Sequence, residues 1–365
     1  MTKLDEIRIK INSIDKEMAE LFEKRMLLSA NVAEYKKEHA LPIYDNNREI
    51  ANISRNVKYI ENEEIQDYYI DFLKNTMSIS KKYQSYLLEG AKVAYSGVAG
   101  AYAYIAAKKA FPSSKLIAMP TFEEAYRAVE NGECDTCVLP IENSYAGDVG
   151  NVMDLIFSGT LFINGIIDVE ITHNLIAKKG TKIENIKKVI SHPQAIAQCN
   201  SYILKNNYES LESSNTAVAS MMVKESSDDS IAAITSKETA EIYDLEILDS
   251  NINDNNNNTT RFAIFSKNLH KDASISSLKK HFIIVFTVKN EAGSLANALN
   301  IIGSHSFNMR NLRSRPMKSL LWSYYFYIEL DGDISTTNAT DMVNELSSVC
   351  DHLKIVGTYT TNELK

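Results

Sequence analysis

Two constellations in this sequence have residue types and spacings that could do chemistry. The first is cationic. Leu4, Ile7, Ile11, Ile14, Met18 and Leu21 step along the chain by 3, 4, 3, 4 and 3, and the pattern resumes at Leu28, Val32 and Tyr35. Arg25 stands in the seam between the two runs, where a charge must meet a partner or create a pocket. Lys36 follows on nearly the same face, roughly 16 Å along a helix axis, so two long side chains could lean together over a small dianion. Arg8 lies roughly 25 Å the other way, too far to share that pocket unless an antiparallel partner chain brings it in. The plainer alternative is a solvated face at Arg8 and Lys36, with Arg25 in a structural ion pair.

The second constellation is polar and sits in three strand-ending turns, PIENSYAG at 140–147, SHPQA at 191–195 and NNTTRF at 257–262. The first two are expected to open helices whose free N–H groups face a crevice at the strand ends, a ready anion site. Ordinary capping by Glu142, Asn143, Ser144 and Ser191 is the alternative for any one of them. Cys134 and Cys137 form a CxxC, but no second CxxC or HxxxH supplies further zinc ligands. Cys137 enters the apolar run CVLPI, so both thiols are expected as small buried hydrophobes, with no metal.

The elements that must position these residues follow from the pattern. No Gly or Pro occurs in residues 1–38, which read as one long helix needing partner helices over its seam. Leu41-Pro42 ends it, and Asp45 is placed to cap a second helix that Arg48 and Glu49 open. A third helix fits Glu63–Leu88, and Gly90 closes an all-α unit over residues 1–89. From Lys92 short β-rich runs alternate with helical ones, which predicts an α/β domain with largely parallel strands over 91–270. NINDNNNN at 251–258 reads as a flexible loop. Residues 281–365 read strand, helix, strand, strand, helix, strand, an α+β ferredoxin-like plan. No internal repeat is visible.

Composition narrows the function. A chain of 365 residues exceeds one ordinary core, so the architecture is expected to be multidomain. Lys and Arg number 39 against 47 Asp and Glu, a net charge of −8, which argues against nucleic-acid or membrane partners but not against small anions in a cleft. The start MTKLDEIRIK lacks an apolar stretch, the longest apolar runs fall short of a membrane span, and four scattered cysteines are no disulfide framework. A cytoplasmic protein is expected.

Arg8, Arg25, Lys36, Asp45, Arg48, Glu49, Ser80 and Gln84 fall in an order and spacing that resembles the all-helical chorismate mutase family, with a one-residue adjustment in the last helix. The resemblance implies an intertwined helical dimer in which one arginine crosses from the neighbouring chain. It implies that Arg8 and Arg25 bind carboxylates, with Arg48 and Ser80 helping. Lys36 and Gln84 would donate to the ether oxygen, and Glu49, with the Asp45 region, would accept from the ring hydroxyl. Conversion of chorismate to prephenate is a unimolecular pericyclic rearrangement, so such a site needs only to hold the dianion and stabilise charge on that oxygen.

PIENS, SHPQA with Gln198-Cys199 behind it, SSNTA at 213–217 and TRF at 260–262 together resemble the prephenate dehydratase family. This implies two α/β lobes around a cleft, similar to periplasmic binding proteins, with Thr260 most tied to catalysis through proton delivery. Arg261 and helix N-termini would receive carboxylate charge, and Glu142, Asn143, Ser144, Gln194, Asn258 and Phe262 would line the cleft. Ala103, in GVAGAYA, lacks the small hydroxyl usual there. In the last unit, Gly293, Ser294, Leu295 and Ala296, with Arg313, Ser314, Arg315 and Pro316, resemble the phenylalanine-binding motifs of the ACT domain, although Arg313 replaces the usual glutamate. Trp322, the only tryptophan, follows on the next strand as a reporter of ligand binding. The domain order resembles that of bifunctional chorismate mutase/prephenate dehydratases. It implies an enzyme of phenylalanine biosynthesis without cofactor, inhibited by phenylalanine and working as a homodimer or higher homo-oligomer. Arogenate in place of prephenate is one alternative; a non-catalytic ligand-binding regulator is another.

Overall fold

The computed structural model describes residues 2–39, 46–255, 257–269, 279–317 and 323–361, so Asp45 and Trp322 lie outside the described residues. The chain divides into two compact units, Met1–Ala91 and Lys92–Lys365.

The first unit is helical. α1 spans Lys3–Glu38, α2 Asn46–Asn56 and α3 Gln66–Glu89. A capping box starts α1: Thr2 Oγ1 accepts from the Asp5 N–H at 3.2 Å and Asp5 Oδ2 accepts from the Thr2 N–H at 2.8 Å. α3 ends at Gly90, whose φ of +76° lies in the region glycine adopts without Cβ strain. α3 packs on α1, but α1 has 36 residues against 24. The apolar seam stays largely uncovered, with Leu4 54%, Ile11 50% and Leu21 63% exposed.

The second unit begins with a first α/β lobe: β1 (Lys92–Ser96), α4 (Tyr102–Ala110), β2 (Lys115–Met119), α5 (Phe122–Asn131), β3 (Thr136–Asn143), β4 (Gly147–Asp148), α6 (Gly150–Ser158) and β5 (Phe162–Glu170). The chain crosses to a second lobe of β6 (Asn174–Ala177), β7 (Lys188–Ser191), α7 (Pro193–Gln198), α8 (Asn200–Lys205), β8 (Glu209–Glu212), α9 (Thr216–Glu225), β9 (Ile231–Thr235), α10 (Lys237–Tyr243) and β10 (Glu246–Asp249). It returns as β11 (Thr259–Ser266) and closes with β12 (Lys279–Thr287), α11 (Ser294–Ser304), β13 (Met309–Pro316), β14 (Tyr324–Asp331), α12 (Thr337–Val349) and β15 (His352–Thr361). The strand order of the second lobe is β10-β6-β9-β7-β8.

The expectation of largely parallel strands is corrected. β1 runs parallel to β2 and β3, and β7 to β8 and β9, but β11 is antiparallel to both β3 and β5, and β6 to β9 and β10. The reason is the double crossing: a strand returning from the far lobe enters the first sheet from the opposite end. PIENSYAG also differs from expectation, because it opens no helix directly. Asn143 Oδ1 accepts from the N–H groups of Tyr145 and Ala146, at 3.0 and 2.9 Å, a turn that folds β4 back on β3; α6 begins only at Gly150.

The last six elements form the expected βαββαβ unit, with strand order β13-β14-β12-β15 and α11 and α12 packed over Phe282, Ile284, Phe286 and Ile328. β15 pairs with β5 at Gly357 and Ile163, joining this sheet to the first lobe in one ten-stranded sheet among the described residues. Gly357 is required there, since a Cβ would collide with the Ile163 carbonyl oxygen. Cys134 and Cys137 are both buried in the first lobe's core, with burial raising both thiols, as expected of small hydrophobes. Among the described residues no helix is long and apolar enough to cross a membrane.

Candidate active sites

The helical unit contains a cavity of about 430 Å³ whose walls include Arg25, Lys36, Arg48, Glu49, Ser80 and Gln84. Three helices contribute, and the spacing explains how. Ser80 and Gln84 are one turn apart on α3 and face the α1 turn carrying Arg25 and Ser29. Arg25 Nη1 donates to Ser80 Oγ and, at 3.5 Å, to the Thr76 carbonyl. Burial lowers its pKa, but an arginine stays charged. Gln84 Nε2 donates to Ser29 Oγ at 2.9 Å, leaving Gln84 Oε1 buried without a partner. With the amide turned over, Ser29 donates to Oε1 and Nε2 becomes a free donor. Arg8 is exposed on α1 and is not among the cavity's lining residues. Lys81 was missed by sequence reading. Its Nζ lies 2.7 Å from Glu49 Oε1 inside the same cavity, and its only sequence signal is its place beside Ser80.

Between the two lobes lies a cleft of about 570 Å³, walled by Asn143, Thr260, Phe262, Gln194, Tyr102, His173 and His192 among others. Asn143 organises it. Its Oδ1 takes two backbone N–H groups, which can only donate, so its Nδ2 must be the group facing Thr260. Nδ2 donates to Thr260 Oγ1 at 2.9 Å and to Asn258 Oδ1 at 2.8 Å. Thr260 Oγ1 is thereby an acceptor on that side, and its own proton is left to donate elsewhere. Among the described residues that wall this cleft there is no Lys or Arg. Positive potential comes instead from helix ends. α4 starts at Ala101 with no side-chain cap, and α9 starts behind Asn215, which caps the Val218 N–H at 2.9 Å. His192 Nδ1 accepts from the Gln194 N–H at 3.2 Å, which puts a neutral ring's proton on Nε2. Burial lowers the pKa of both His173 and His192.

Four expected cleft residues stand elsewhere. Glu142 and Arg261 flank Asn143 and Thr260, so strand alternation turns them to the opposite face of the sheet. There Arg261 Nη1 lies 3.3 Å from Glu329 Oε2 and 3.6 Å from Glu142 Oε2, and its Nε lies 3.7 Å from Asp168 Oδ1. Neither residue reaches the cleft, so the expectation that Arg261 receives substrate carboxylate is corrected. Ser144 clamps the returning chain, accepting from the Thr259 N–H at 2.9 Å and donating to the Asn257 carbonyl at 3.0 Å. Asn258 lies behind Asn143, and both it and Ser144 line a separate pocket of about 220 Å³. His173 and Gln198, joined at 2.9 Å, were missed as cleft residues; His173 sits at a lobe crossing that no local motif marks.

In the βαββαβ unit, Gly293 precedes α11 at φ +89° with open space where a Cβ would be, and Ser294, Leu295 and Ala296 form the first turn. On β13 the residues alternate. Ser314 and Pro316 are exposed, while Arg313 and Arg315 turn to the first lobe. Arg313 Nη2 lies 2.6 Å from Glu142 Oε2 and Nη1 2.8 Å from Asp148 Oδ1; Arg315 Nη2 lies 3.3 Å from Asp154 Oδ1. The two arginines are thus committed to carboxylates of this chain, which corrects their expected place in a ligand site.

Two family profiles match, chorismate mutase type II over residues 7–85 and prephenate dehydratase over residues 93–270. The bifunctional chorismate mutase/prephenate dehydratase of Neisseria gonorrhoeae is 31% identical over 358 residues, covering 96% of this chain and 95% of the relative. The chain belongs to the bifunctional chorismate mutase/prephenate dehydratase family. Two solved structures each resemble about three quarters of this bifunctional-family chain. One, of prephenate dehydratase from Arthrobacter aurescens in complex with L-Phe, has TM-score 0.69 and 26% identity, covering 75% of this chain and 91% of that one. The other is described as GqqA, a novel type of quorum quenching acylase, with TM-score 0.69 and 28% identity, covering 74% and 98%.

Proposed function

We propose that the helical cavity rearranges chorismate to prephenate and that the cleft dehydrates and decarboxylates prephenate to phenylpyruvate, as a bifunctional enzyme of phenylalanine biosynthesis. In the cavity, Arg25 and Arg48 hold carboxylates, Lys36 and the Gln84 amide stabilise the ether oxygen, and Glu49, held by Lys81, accepts from the ring hydroxyl. Arg8 arrives from a second copy of the chain, whose α1 covers the exposed seam. In the cleft, the N-termini of α4 and α9 face the substrate carboxylates. Thr260 passes its proton to the leaving ring hydroxyl, which departs as water, and takes a proton back from solvent. The ring carboxylate leaves as carbon dioxide, and its electron pair completes the aromatic ring.

The observation that carries the dehydratase reading is the fixed orientation of Asn143, whose amide donates to Thr260 and so leaves the threonine proton to point away from it. The C-terminal unit reads as an ACT domain that binds phenylalanine at the turn Gly293–Ala296, a reading supported by the open space at Gly293 and by the L-Phe complex of the Arthrobacter enzyme. The test is a single assay on the full chain supplied with chorismate, following chorismate loss and phenylpyruvate appearance with and without phenylalanine. Both signals are expected, the second suppressed by phenylalanine. Accumulating prephenate that is never consumed would refute the cleft assignment, and the same assay with arogenate would identify a different substrate.

A further inference from the structure

We propose that Arg313 is a positioning residue for the dehydratase reaction. It holds the β3–β4 hairpin so that Asn143 turns the Thr260 proton into the cleft, and the inference rests on the reading of Thr260 as the donor. The side chain of Arg313 is only 8% exposed, and its two terminal nitrogens divide between the strands of the hairpin, one on Glu142 of β3 and one on Asp148 of β4. Its guanidinium carbon lies 5.6 Å from the centre of the Tyr327 ring, which completes its seat. Glu142 and Asp148 are direct cross-strand partners. Two like charges in that relation repel, and a cation between them reverses the sign.

The turn that these two residues bracket supplies the Tyr145 and Ala146 N–H groups that fix Asn143 Oδ1. On the same back face, Glu142 is the register partner of Arg261, which Glu329 grips from β14. One guanidinium from the C-terminal unit therefore closes the hairpin whose turn sets the donor direction of Thr260. Arg313 itself is not among the residues that line the cleft. A glutamate at position 313, as in the ACT motif this segment resembles, would face the same two carboxylates with like charge and could not form the clip.

The experiment is steady-state turnover of prephenate by the full chain. Arg313→Met is expected to lower kcat by roughly 10- to 100-fold through lost orientation, with KM nearly unchanged. Mutase turnover of chorismate by the same preparation should stay at the wild-type rate. Arg313→Lys, a point charge that reaches one carboxylate, should fall between. Because the path runs through Asn143, adding Arg313→Met to Asn143→Ala should cost no further kcat. An unchanged kcat in Arg313→Met, or effects that multiply fully in the double variant, overturns the proposal. Should Arg313→Met fail to fold, Asp148→Asn removes one arm of the clip and must lower kcat with KM unmoved, or the proposal fails. A wild-type chain inactive on prephenate would instead refute the reading on which it rests.

Discussion

In the reactions proposed above, Asn143 and Gln84 act through the direction in which their amides donate, and both can be tested by the smallest possible change. Asn143→Asp keeps the acceptor for the Tyr145 and Ala146 N–H groups but removes the donor facing Thr260. The threonine proton would then turn back to the carboxylate. Prephenate turnover should drop on the order of 100-fold, the scale of one lost proton transfer, with the melting temperature nearly kept; full activity would show that Thr260 is not oriented this way. In the helical cavity, Gln84→Glu replaces a donor with a group that donates only when protonated. Mutase activity should therefore be low at neutral pH and rise as pH falls through the new carboxyl's pKa. A flat pH–rate profile matching wild type would remove Gln84 from the site.

At the scale of elements, α1 is longer than what this chain packs against it. Its apolar seam is exposed along much of its length, and Leu4, Ile11, Met18 and Leu21 lie on it. An apolar stripe of this length marks an interface, and the occupant proposed above is a second α1. Leu21→Asp, 63% exposed in the single chain, places a charge in that stripe without touching the cavity. The expected result is a smaller assembly by sedimentation, together with lost mutase activity because Arg8 no longer reaches the neighbouring cavity. Dehydratase activity per chain should persist. A variant that sediments as wild type with full mutase activity would place the interface elsewhere.

Across the whole molecule, several histidines are held neutral by packing. Burial lowers the pKa of His173, His192 and His281; a half-buried His305, beside Glu345, is shifted the other way. For the first three, the unfolded chain takes up protons below about pH 6.5 that the folded chain resists. Their contribution is thus present above that pH and lost as pH falls toward the depressed native values. His305 contributes the reverse, present below about pH 6.5 and lost as pH rises through its raised native pKa, and solvent screening keeps that share small. Melting temperature against pH should fall on the acid side, and His173→Gln, which removes the most enclosed of the lobe histidines, should flatten that fall. Identical curves would mean His173 carries none of it.

Much of the helical site was legible because helical contacts are local. A 3,4 seam broken by Arg25, followed by Lys36, and a Ser80–Gln84 pair one turn apart specify faces of helices without knowledge of the fold. The βαββαβ order was legible for the same reason, as was the place of Thr260 and Phe262 in the cleft. What alternation along a strand cannot tell is which face becomes the cleft. Glu142-Asn143 and Thr260-Arg261 look alike in sequence, yet one of each pair faces the cleft and the other faces Glu329 and Arg313, which come from β14 and β13 far along the chain. That choice, and the reversal that makes β11 antiparallel, depend on two crossings between lobes and on where the last sheet docks. These are contacts between residues distant in sequence, which no local pattern encodes.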